Sequence, residues 1–239
     1  ETHLAKYEVE LDRHTELGSL TASGLGYAPS AMPKHLVFFC GDIYYLAPNT
    51  DDLGRVTIDD RQILTSEKVA DINGNATLGD IGSVAVDNTG WMYFARQSGN
   101  LLSRFNLHTR NRYSVISTTT VSNYQGLTFD ASNILHGFPT ATPSSMYTVN
   151  ATGVPTLKGP TIPSQAIWDI TGNNSCPPPD IAGNYYGVTG GNRRIYKFDP
   201  ATGVTGVMTN TAPFTLRALA RDPDASILYY IEDVTAGYR

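Results

Sequence analysis

A repeated strand, turn and strand unit constrains the fold of this chain more than any other feature of its sequence. Its clearest copy occupies residues 194–210 and reads R-I-Y-K-F-D-P-A-T-G-V-T-G-V-M-T-N. Aromatic and β-branched residues lie on both sides of the turn at 199–203, which is the pattern of a β-hairpin. Because the same shape recurs along the chain, we expect many short antiparallel strands.

The composition agrees with this expectation. Hydrophobic residues make up 41% of the 239 residues and charged residues only 16%, with 22 glycines and 14 prolines. Such a mixture favours short strands joined by tight turns over helices. The sequence therefore predicts an all-β protein.

The repeats divide the chain into four complete four-stranded units, at residues 23–68, 79–118, 124–163 and 165–211. In the first unit, 23–27 is expected as a strand, 49–57 as a loop and 62–64 as the outermost strand. A proline-rich insertion at 173–183 interrupts the fourth unit. Residues 216–239 supply only an inner pair of strands, and residues 1–22 supply an outer pair that turns at 12–15.

The complementary ends predict a closed ring. Joined, they form a fifth unit, and five units of about 48 residues lie within the usual repeat length of propeller blades. Closure also removes exposed sheet edges. We therefore predict a single β-propeller domain over residues 1–239, with five four-stranded blades and the last blade closed by both termini. Six blades, which would need a further segment, are the alternative.

The units resemble the repeats of secreted β-propeller proteins that carry D-P-A-T-G hairpins, and they are similar in pattern to the NHL and YWTD propellers. Residues 195–203 and 218–229 carry the resemblance, the latter through L-A-x-D-P followed by L-Y. Residues 84–94 and 127–130 are weaker versions. The resemblance implies a propeller architecture and says little about activity.

Several features favour a secreted, extracellular or cell-surface protein. Acceptor sequences for N-glycosylation begin at Asn75, Asn150 and Asn173, in a chain of low charge that is rich in threonine. Cys40 and Cys176 fit either one disulfide or two unrelated thiols. Cys40 ends the apolar run V-F-F-C, where a small buried hydrophobic residue is the simpler interpretation.

Charge and hydropathy exclude some partners. The formal net charge is −5, so no overall positive field attracts nucleic acid. No apolar run reaches the roughly 18 residues of a membrane-spanning helix. We expect other proteins, further copies of the chain or glycans as partners, with no nucleic acid and no membrane insertion.

Ligands of propellers usually enter where the inner strands begin, which we call the channel mouth. An acid, a base, two amides and two aromatic side chains at this level are suited to hydrogen bonding and stacking with a sugar or a peptide. The candidates are Asp80, Ser83, Tyr124, Gln125, Gln165, Trp168 and Arg217.

Neither a catalytic set nor a metal site is predicted. Asp87, Asp130 and Asp222 each precede a turn, so we expect them to cap turns. Residues 71–77 space oxygen-bearing side chains like a calcium loop but lack its later glycine and glutamate. The five histidines show no metal-ligand spacing. For a hydrolase, Asp80 and Asp169 are the best carboxylate pair. No cofactor is expected.

The sequence favours a non-catalytic extracellular propeller that acts as a protein-interaction or structural module of a surface or extracellular assembly. A lectin-like glycan-binding propeller is the alternative. A glycoside hydrolase or lactonase-like enzyme is the third interpretation.

Overall fold

A computed structural model describes most of the strands and the tight turns between them. The described residues are 2–11, 13–19, 35–46, 52–58, 64–72, 81–96, 101–110, 114–118, 124–139, 144–150, 154–162, 167–171, 185–189, 194–198, 205–207, 215–222 and 227–233. They contain strands and no helix. Within these ranges, therefore, no helix is long and apolar enough to span a membrane. The protein is all-β, as the sequence predicts.

The described strands form five antiparallel four-stranded sheets. The first sheet contains β3 (His35–Phe39), β4 (Asp42–Leu46), β5 (Asp52–Ile58) and β6 (Leu64–Asp71). The second contains β7 (Ile81–Val86), β8 (Trp91–Arg96), β9 (Leu101–Asn106) and β10 (Ser114–Thr118). The third contains β11 (Tyr124–Phe129), β12 (Leu135–Pro139), β13 (Ser144–Val149) and β14 (Pro155–Ile162). The fourth contains β15 (Ile167–Thr171), β16 (Tyr185–Thr189), β17 (Ile195–Phe198) and β18 (Thr205–Val207).

The fifth sheet combines strands from opposite parts of the sequence. Its order is β19 (Thr215–Asp222), β20 (Ile227–Asp233), β1 (Thr2–Glu8) and β2 (Arg13–Ser19). Strands β1 and β20 are antiparallel, with Lys6 opposite Tyr229 and Tyr7 opposite Leu228. The sequence predicts that the pair of strands at the N-terminus joins the pair at the C-terminus in one sheet, and the structure contains this pairing.

The sheets are arranged as a β-propeller. The first strand of each sheet contacts the first strand of the next, in the cyclic order β3, β7, β11, β15, β19 and back to β3. We call these five strands the inner strands. They surround the axis of the molecule, and the other strands of each sheet follow outward.

The hydrophobic core lies between neighbouring sheets. Each of the five sheet-to-sheet interfaces contains its own cluster of buried apolar side chains. Strand β7 shows how one strand serves two interfaces, because Val84 and Val86 pack towards the first sheet and Ala85 packs towards the third. Successive side chains of a strand point to opposite faces, so a strand buried on both faces reads as a continuous apolar run.

An aspartate caps the turn between β7 and β8. Asp87 Oδ1 accepts hydrogen bonds from the backbone N–H groups of Thr89 and Trp91, both at 2.9 Å, and from Thr89 Oγ1 at 2.7 Å. Gly90 takes the left-handed conformation, with φ of 85°. A turn of this kind followed by a left-handed residue is a common hairpin connection. The predicted capping role is confirmed for Asp87.

The structure corrects three details of the sequence interpretation. Residues 52–58, expected within a loop, form strand β5, in which Gly54 lies beneath the ring of Tyr45. The first hairpin was expected to turn at 12–15, but residues 13–15 belong to β2 and the described turn residues are 9–11. Cys40 is exposed in the β3–β4 turn with φ of 52°, so the interpretation of a small buried hydrophobic residue is wrong. The expected strand at 23–27 lies outside the described residues.

Candidate functional site

The structure describes the side chains of three predicted channel-mouth residues, Ser83, Tyr124 and Gln125. Asp80 and Gln165 lie outside the described residues. Trp168 and Arg217 are on inner strands β15 and β19, but their side chains are outside the described set. The binding role of these seven residues therefore stays a prediction.

Ser83 joins two inner strands. Its side chain is fully buried, and its Oγ accepts a hydrogen bond of 2.8 Å from the backbone N–H of Leu127 on β11. An inner strand is the edge of its sheet. The N–H groups on its unpaired side therefore need hydrogen-bond partners outside that sheet. Ser83 supplies one such partner, which gives this residue a role in holding the second and third sheets together.

Tyr124 is a core residue. Its ring packs against Gly137 on β12, where a β-carbon would come within 2.5 Å of the ring. The hydroxyl is buried and has no hydrogen-bond partner among the described residues. Burial, and to a smaller extent Tyr147, raises the pKa of Tyr124. A neutral buried phenol of this kind packs well but is not presented to a ligand.

Gln125 differs from its two neighbours at the mouth. Its side chain is only partly buried, and its Oε1 has no partner within the described part of the chain. The Oε1 atom itself is buried, so the exposed part of this side chain is the rest of it. Gln125 is the only one of the three described side chains with an exposed part.

The described histidines have structural contacts. His35 is buried and its Nε2 lies 3.1 Å from the carbonyl oxygen of Ile81 in the next sheet. His14 Nδ1 lies 2.8 Å from the hydroxyl of Tyr230 within the fifth sheet. Among the described residues, no group of three or more histidine, cysteine, aspartate or glutamate side chains is placed to hold a metal ion.

Asp130 caps its turn and also contacts a buried histidine. Its Oδ1 accepts bonds from the N–H groups of Ser132 and Ile134 at 2.9 and 2.8 Å, which confirms the predicted cap. Its Oδ2 accepts a bond of 3.0 Å from Nε2 of His136, a residue only 2% exposed. The ring of His136 lies 5.3 Å from that of Tyr185 in the fourth sheet. For Asp222, the turn that follows lies outside the described residues.

A cavity lies at the opposite end of the inner strands from the channel mouth, and sequence reasoning missed it. All five inner strands contribute to its wall. The described residues that line it are Leu36, Val37, Phe38, Val84, Ala85, Val86, Leu127, Thr128, Thr171 and Arg221. Arg221 lies in β19, whose sequence T-L-R-A-L-A-R-D does not by itself indicate a cavity.

Exposed apolar side chains are concentrated on the third sheet. Ile134, Val154 and Leu157 belong to it, and Leu11 in the fifth sheet is the only other large hydrophobic residue of the described set that is exposed. Ile134 and Val154 lie at the same end of the sheet, one position beyond the aligned residues Leu135, Val149 and Pro155. We call Ile134 and Val154 the apolar pair.

The acceptor Asn150 lies between the two members of the apolar pair. It is exposed, and its Oδ1 accepts a hydrogen bond of 2.9 Å from the N–H of Val154. Asn150 thus takes the capping position that Asp87 and Asp130 take in their turns. The acceptors Asn75 and Asn173 lie outside the described residues.

Solved structures with a similar fold have low sequence identity to the chain. A chain of a nidogen/laminin complex matches with a TM-score of 0.60 and 14% identity, over 96% of this chain and 85% of its own length. A putative gluconolactonase matches at 0.56 and 14%, over 93% and 78%. A glutaminyl cyclase of Myxococcus xanthus matches at 0.56 and 18%, over 86% and 92%.

These similarities show the fold and leave the activity open, because the three proteins differ in what they do. The neighbours are β-propeller proteins, in agreement with the resemblance found in the sequence. No protein-family model matches the chain, and no curated protein matches it.

Proposed function

We propose that the chain is a non-catalytic protein-interaction or structural module of an extracellular or cell-surface assembly. The observation that carries the proposal is the apolar pair, Ile134 and Val154, exposed together at one end of the third sheet. Large apolar side chains that share one exposed region are typical of contact surfaces. Charged groups are depleted at the centre of such surfaces, and both members of the pair are aliphatic.

The proposed architecture is one domain over residues 1–239, with five blades. Five described sheets and a cyclic succession of five inner strands support this number. The pairing of β1 with β20 supports a last blade shared by both termini. A rigid ring of this kind presents its turns as fixed surfaces, which suits a scaffold.

Two further observations support a scaffold over an enzyme. Ser83 and Tyr124, predicted at the channel mouth, are buried in contacts between strands and sheets. The similar nidogen/laminin chain comes from a complex between proteins, so a propeller of this general form is compatible with protein partners.

Sedimentation velocity over a wide range of protein concentrations tests whether the apolar pair mediates self-association. We expect the wild-type chain to associate and the double variant Ile134→Ser with Val154→Ser to associate at least tenfold more weakly. Burying one such side chain contributes about 1.5–3 kcal/mol, and about 1.4 kcal/mol changes a dissociation constant tenfold. The control is Leu11→Ser, which removes an even more exposed apolar side chain beside the fifth sheet and leaves association unchanged.

Two outcomes count against this proposal. A wild-type chain that stays monomeric at hundreds of micromolar and binds no protein partner contradicts the assembly role. Equal weakening by Leu11→Ser and by the double variant means that general surface hydrophobicity, and not the apolar pair, causes association.

We also propose a disulfide between Cys40 and Cys176. The described residues contain no free cysteine, and the chain has only two. Thr171, the last residue before the connection that carries Cys176, lines the same cavity as Phe38, two residues before Cys40. The intact mass before and after deglycosylation, with and without reductant, tests this bond, the use of the three acceptor asparagines and the proposed secreted location.

A glycan-binding propeller is the second candidate, favoured by the positions of Trp168 and Arg217 on the inner strands β15 and β19 and by the partly exposed side chain of Gln125. Binding on a glycan array that is lost in Trp168→Ala and in Gln125→Ala favours this candidate. Tyr124→Phe is the control, because it removes only a buried hydroxyl. Retention of binding in both alanine variants contradicts a glycan site at the channel mouth.

A further inference from the structure

Two asparagines occupy equivalent positions in the second and third sheets. Asn106 ends β9, and Asn150 directly follows β13. Asn106 lies opposite Trp91 on the neighbouring strand, and the register of β12 with β13 continues to place Ile134 opposite Asn150. Residues opposite each other in a sheet point to the same face, with β-carbons about 5 Å apart. The surroundings of the two asparagines can therefore be compared directly.

The large apolar side chain is covered in the second sheet and uncovered in the third. The guanidinium carbon of Arg104 lies 4.3 Å from the centre of the Trp91 ring, which is partly buried. The third sheet has Thr148 at the position of Arg104, and a threonine is too short to extend over its neighbour. Ile134 is 45% exposed and Val154 51%. The third sheet thus has an apolar surface that its own side chains do not cover.

Asn150 combines exposure with an acceptor sequence for N-glycosylation. It is followed by alanine and Thr152, which completes N-x-T. Its Oδ1 accepts the N–H of Val154 at 2.9 Å, so the turn is capped by the oxygen and not by Nδ2, the atom that carries the sugar in N-glycoproteins. Asn106 is only 7% exposed and has His108 in place of the required hydroxyl residue. Within the described residues, an acceptor and exposed apolar neighbours therefore occur together only in the third sheet.

We propose that an N-linked glycan on Asn150 covers the apolar pair and thereby closes the contact surface that the pair forms. Asn150 lies between Ile134 and Val154, and the backbone N–H of Asn150 bonds to the carbonyl oxygen of Val154 at 3.2 Å. A glycan is bulky and hydrophilic, so one attached between the two side chains excludes a protein partner from both. This inference rests on the proposed extracellular role, and the association expected of the apolar pair belongs to the chain without a sugar at Asn150.

The modification leaves the turn intact. The donor is an oligosaccharide linked through N-acetylglucosamine to a lipid diphosphate. Asn150 Nδ2 forms a bond to the anomeric carbon of that sugar, the bond from this carbon to the diphosphate oxygen breaks, and the lipid diphosphate leaves with the electron pair. The amide releases one proton to a base and keeps the other. Because Oδ1 is unchanged, it still accepts the N–H of Val154.

Hydroxyl-radical labelling measures the cover directly, in a dilute monomeric sample to which association does not contribute. The samples are the chain secreted by a eukaryotic cell that attaches N-glycans and its Thr152→Ala variant, which loses the acceptor but keeps Asn150 and its cap. The sugars are removed after labelling, and mass spectrometry measures the oxidation of each side chain. We expect several-fold more oxidation of Ile134 and Val154 in Thr152→Ala and equal oxidation of the exposed Leu11 in both samples.

Thr77→Ala is the matched control, because it removes the acceptor at Asn75, which has the same N-A-T sequence. We expect this variant to leave the oxidation of Ile134 and Val154 at the wild-type level. The unchanged sequence from a bacterial host without N-glycosylation keeps the test decisive if Thr152→Ala does not fold, and its apolar pair should be oxidised several-fold more than in the secreted chain. Equal oxidation of the pair with and without the sugar overturns the proposal, as does a secreted chain in which Asn150 carries no sugar.

Sedimentation velocity of the same samples separates this inference from the proposed assembly role. We expect Thr152→Ala to associate at least about tenfold more tightly than the fully glycosylated chain, and Thr77→Ala to behave as the glycosylated chain does. If the sugar protects the pair from oxidation but no sample associates, the cover is correct and the apolar pair is not an interface. If the samples with and without a sugar at Asn150 associate equally and are oxidised equally, the assembly role stands and the glycan cover is wrong.

Discussion

The turn after β7 and the turn after β11 have the same backbone hydrogen bonds and differ in what surrounds them. In each, the aspartate N–H bonds to the carbonyl oxygen four residues later, and its Oδ1 accepts N–H groups two and four residues later. The third residue after the aspartate is left-handed in both, as Gly90 in one and Asn133 in the other. The bonds that define the turn therefore lie within five residues of sequence in both cases.

The difference lies in the second carboxylate oxygen. Asp130 Oδ2 bonds to the buried His136, whose ring packs against Tyr185 of the fourth sheet. Asp87 Oδ1 instead gains a third bond from Thr89 Oγ1 within its own turn. The turn at Asp130 is thus tied to the interface between the third and fourth sheets, whereas the bonds of the Asp87 carboxylate stay local.

Removing each carboxylate is expected to give the largest difference between the two turns. We expect Asp130→Ala to lower the free energy of unfolding by about 3 kcal/mol, because it also leaves His136 buried without its partner. Asp87→Ala loses only bonds within its turn and is expected to cost about 2 kcal/mol. Urea unfolding of both variants measures these values.

The asparagine variants are the controls, since an amide oxygen still accepts the turn bonds. We expect each to cost less than half of the corresponding alanine variant. An Asp87→Ala variant that is destabilised as much as Asp130→Ala would show that the contact with His136 adds no stability.

The left-handed residue gives the next largest effect. We expect Gly90→Ala to cost about 2 kcal/mol, because the added β-carbon combines a positive φ with a contact of 2.6 Å to the His108 ring. Asn133→Ala loses the bond of 3.0 Å from the Asn88 N–H to its Oδ1 and is expected to cost about 1 kcal/mol. Thermal unfolding measures both.

Gly206→Ala is the matched control for these two substitutions. Gly206 lies in strand β18, and a β-carbon there meets no atom within 4 Å, so we expect a change within about 0.5 kcal/mol. If Gly90→Ala is equally mild, the turn relaxes around the new side chain and its left-handed geometry contributes little to stability.

The contact between Asp130 and His136 has a smaller effect of its own. A double-mutant cycle of Asp130→Asn and His136→Phe keeps the turn bonds and the aromatic packing, and we expect a coupling energy of about 1 kcal/mol. The parallel cycle of Asp87→Asn with His136→Phe is expected to be additive, because the structure shows no contact between these two side chains. Coupling of equal size in both cycles would mean that the turns communicate through the backbone.

The same division between local and distant contacts explains what the sequence was able to predict. The Asp87 and Asp130 caps were predicted because a short side chain and its turn lie within five residues. The loop expected at 49–57 is wrong for residues 52–57, which belong to β5, where Gly54 lies beneath the ring of Tyr45 from the neighbouring strand. The pattern of residues 49–57 alone does not indicate that Tyr45 lies against this segment.

The candidate site shows more clearly what the sequence alone could not predict. Ser83 was placed at the correct strand, but its hydroxyl is used by the N–H of Leu127, 44 residues away. The cavity around Arg221 forms only where all five inner strands meet, so no single stretch of sequence indicates it. The order of the strands, including the joining of β1 to β20, was predictable because complementary half-sheets are visible in the repeat pattern.

The smallest expected effect concerns Tyr185, which has no counterpart beside Asp87. Burial, and secondarily Asp130, raises the pKa of Tyr185 above its ordinary value near 10. The folded state therefore keeps the phenol proton when the unfolded state has begun to lose it, and this stabilisation is complete below pH 10 and is lost as the pH rises further. We expect Tyr185→Phe to gain about 0.8 kcal/mol relative to the wild type between pH 8 and pH 10.5.

Tyr124 separates the two causes of this shift. Its pKa is also raised by burial, but with Tyr147 and not Asp130 as the second cause, so Tyr124→Phe should show a similar gain at high pH. Because burial is the larger cause for both phenols and remains in the variant, Asp130→Asn should leave both gains nearly unchanged. Urea unfolding at the two pH values measures all of these differences. If Asp130→Asn clearly reduces the gain from Tyr185→Phe, the aspartate and not burial is the main cause of the raised pKa of Tyr185.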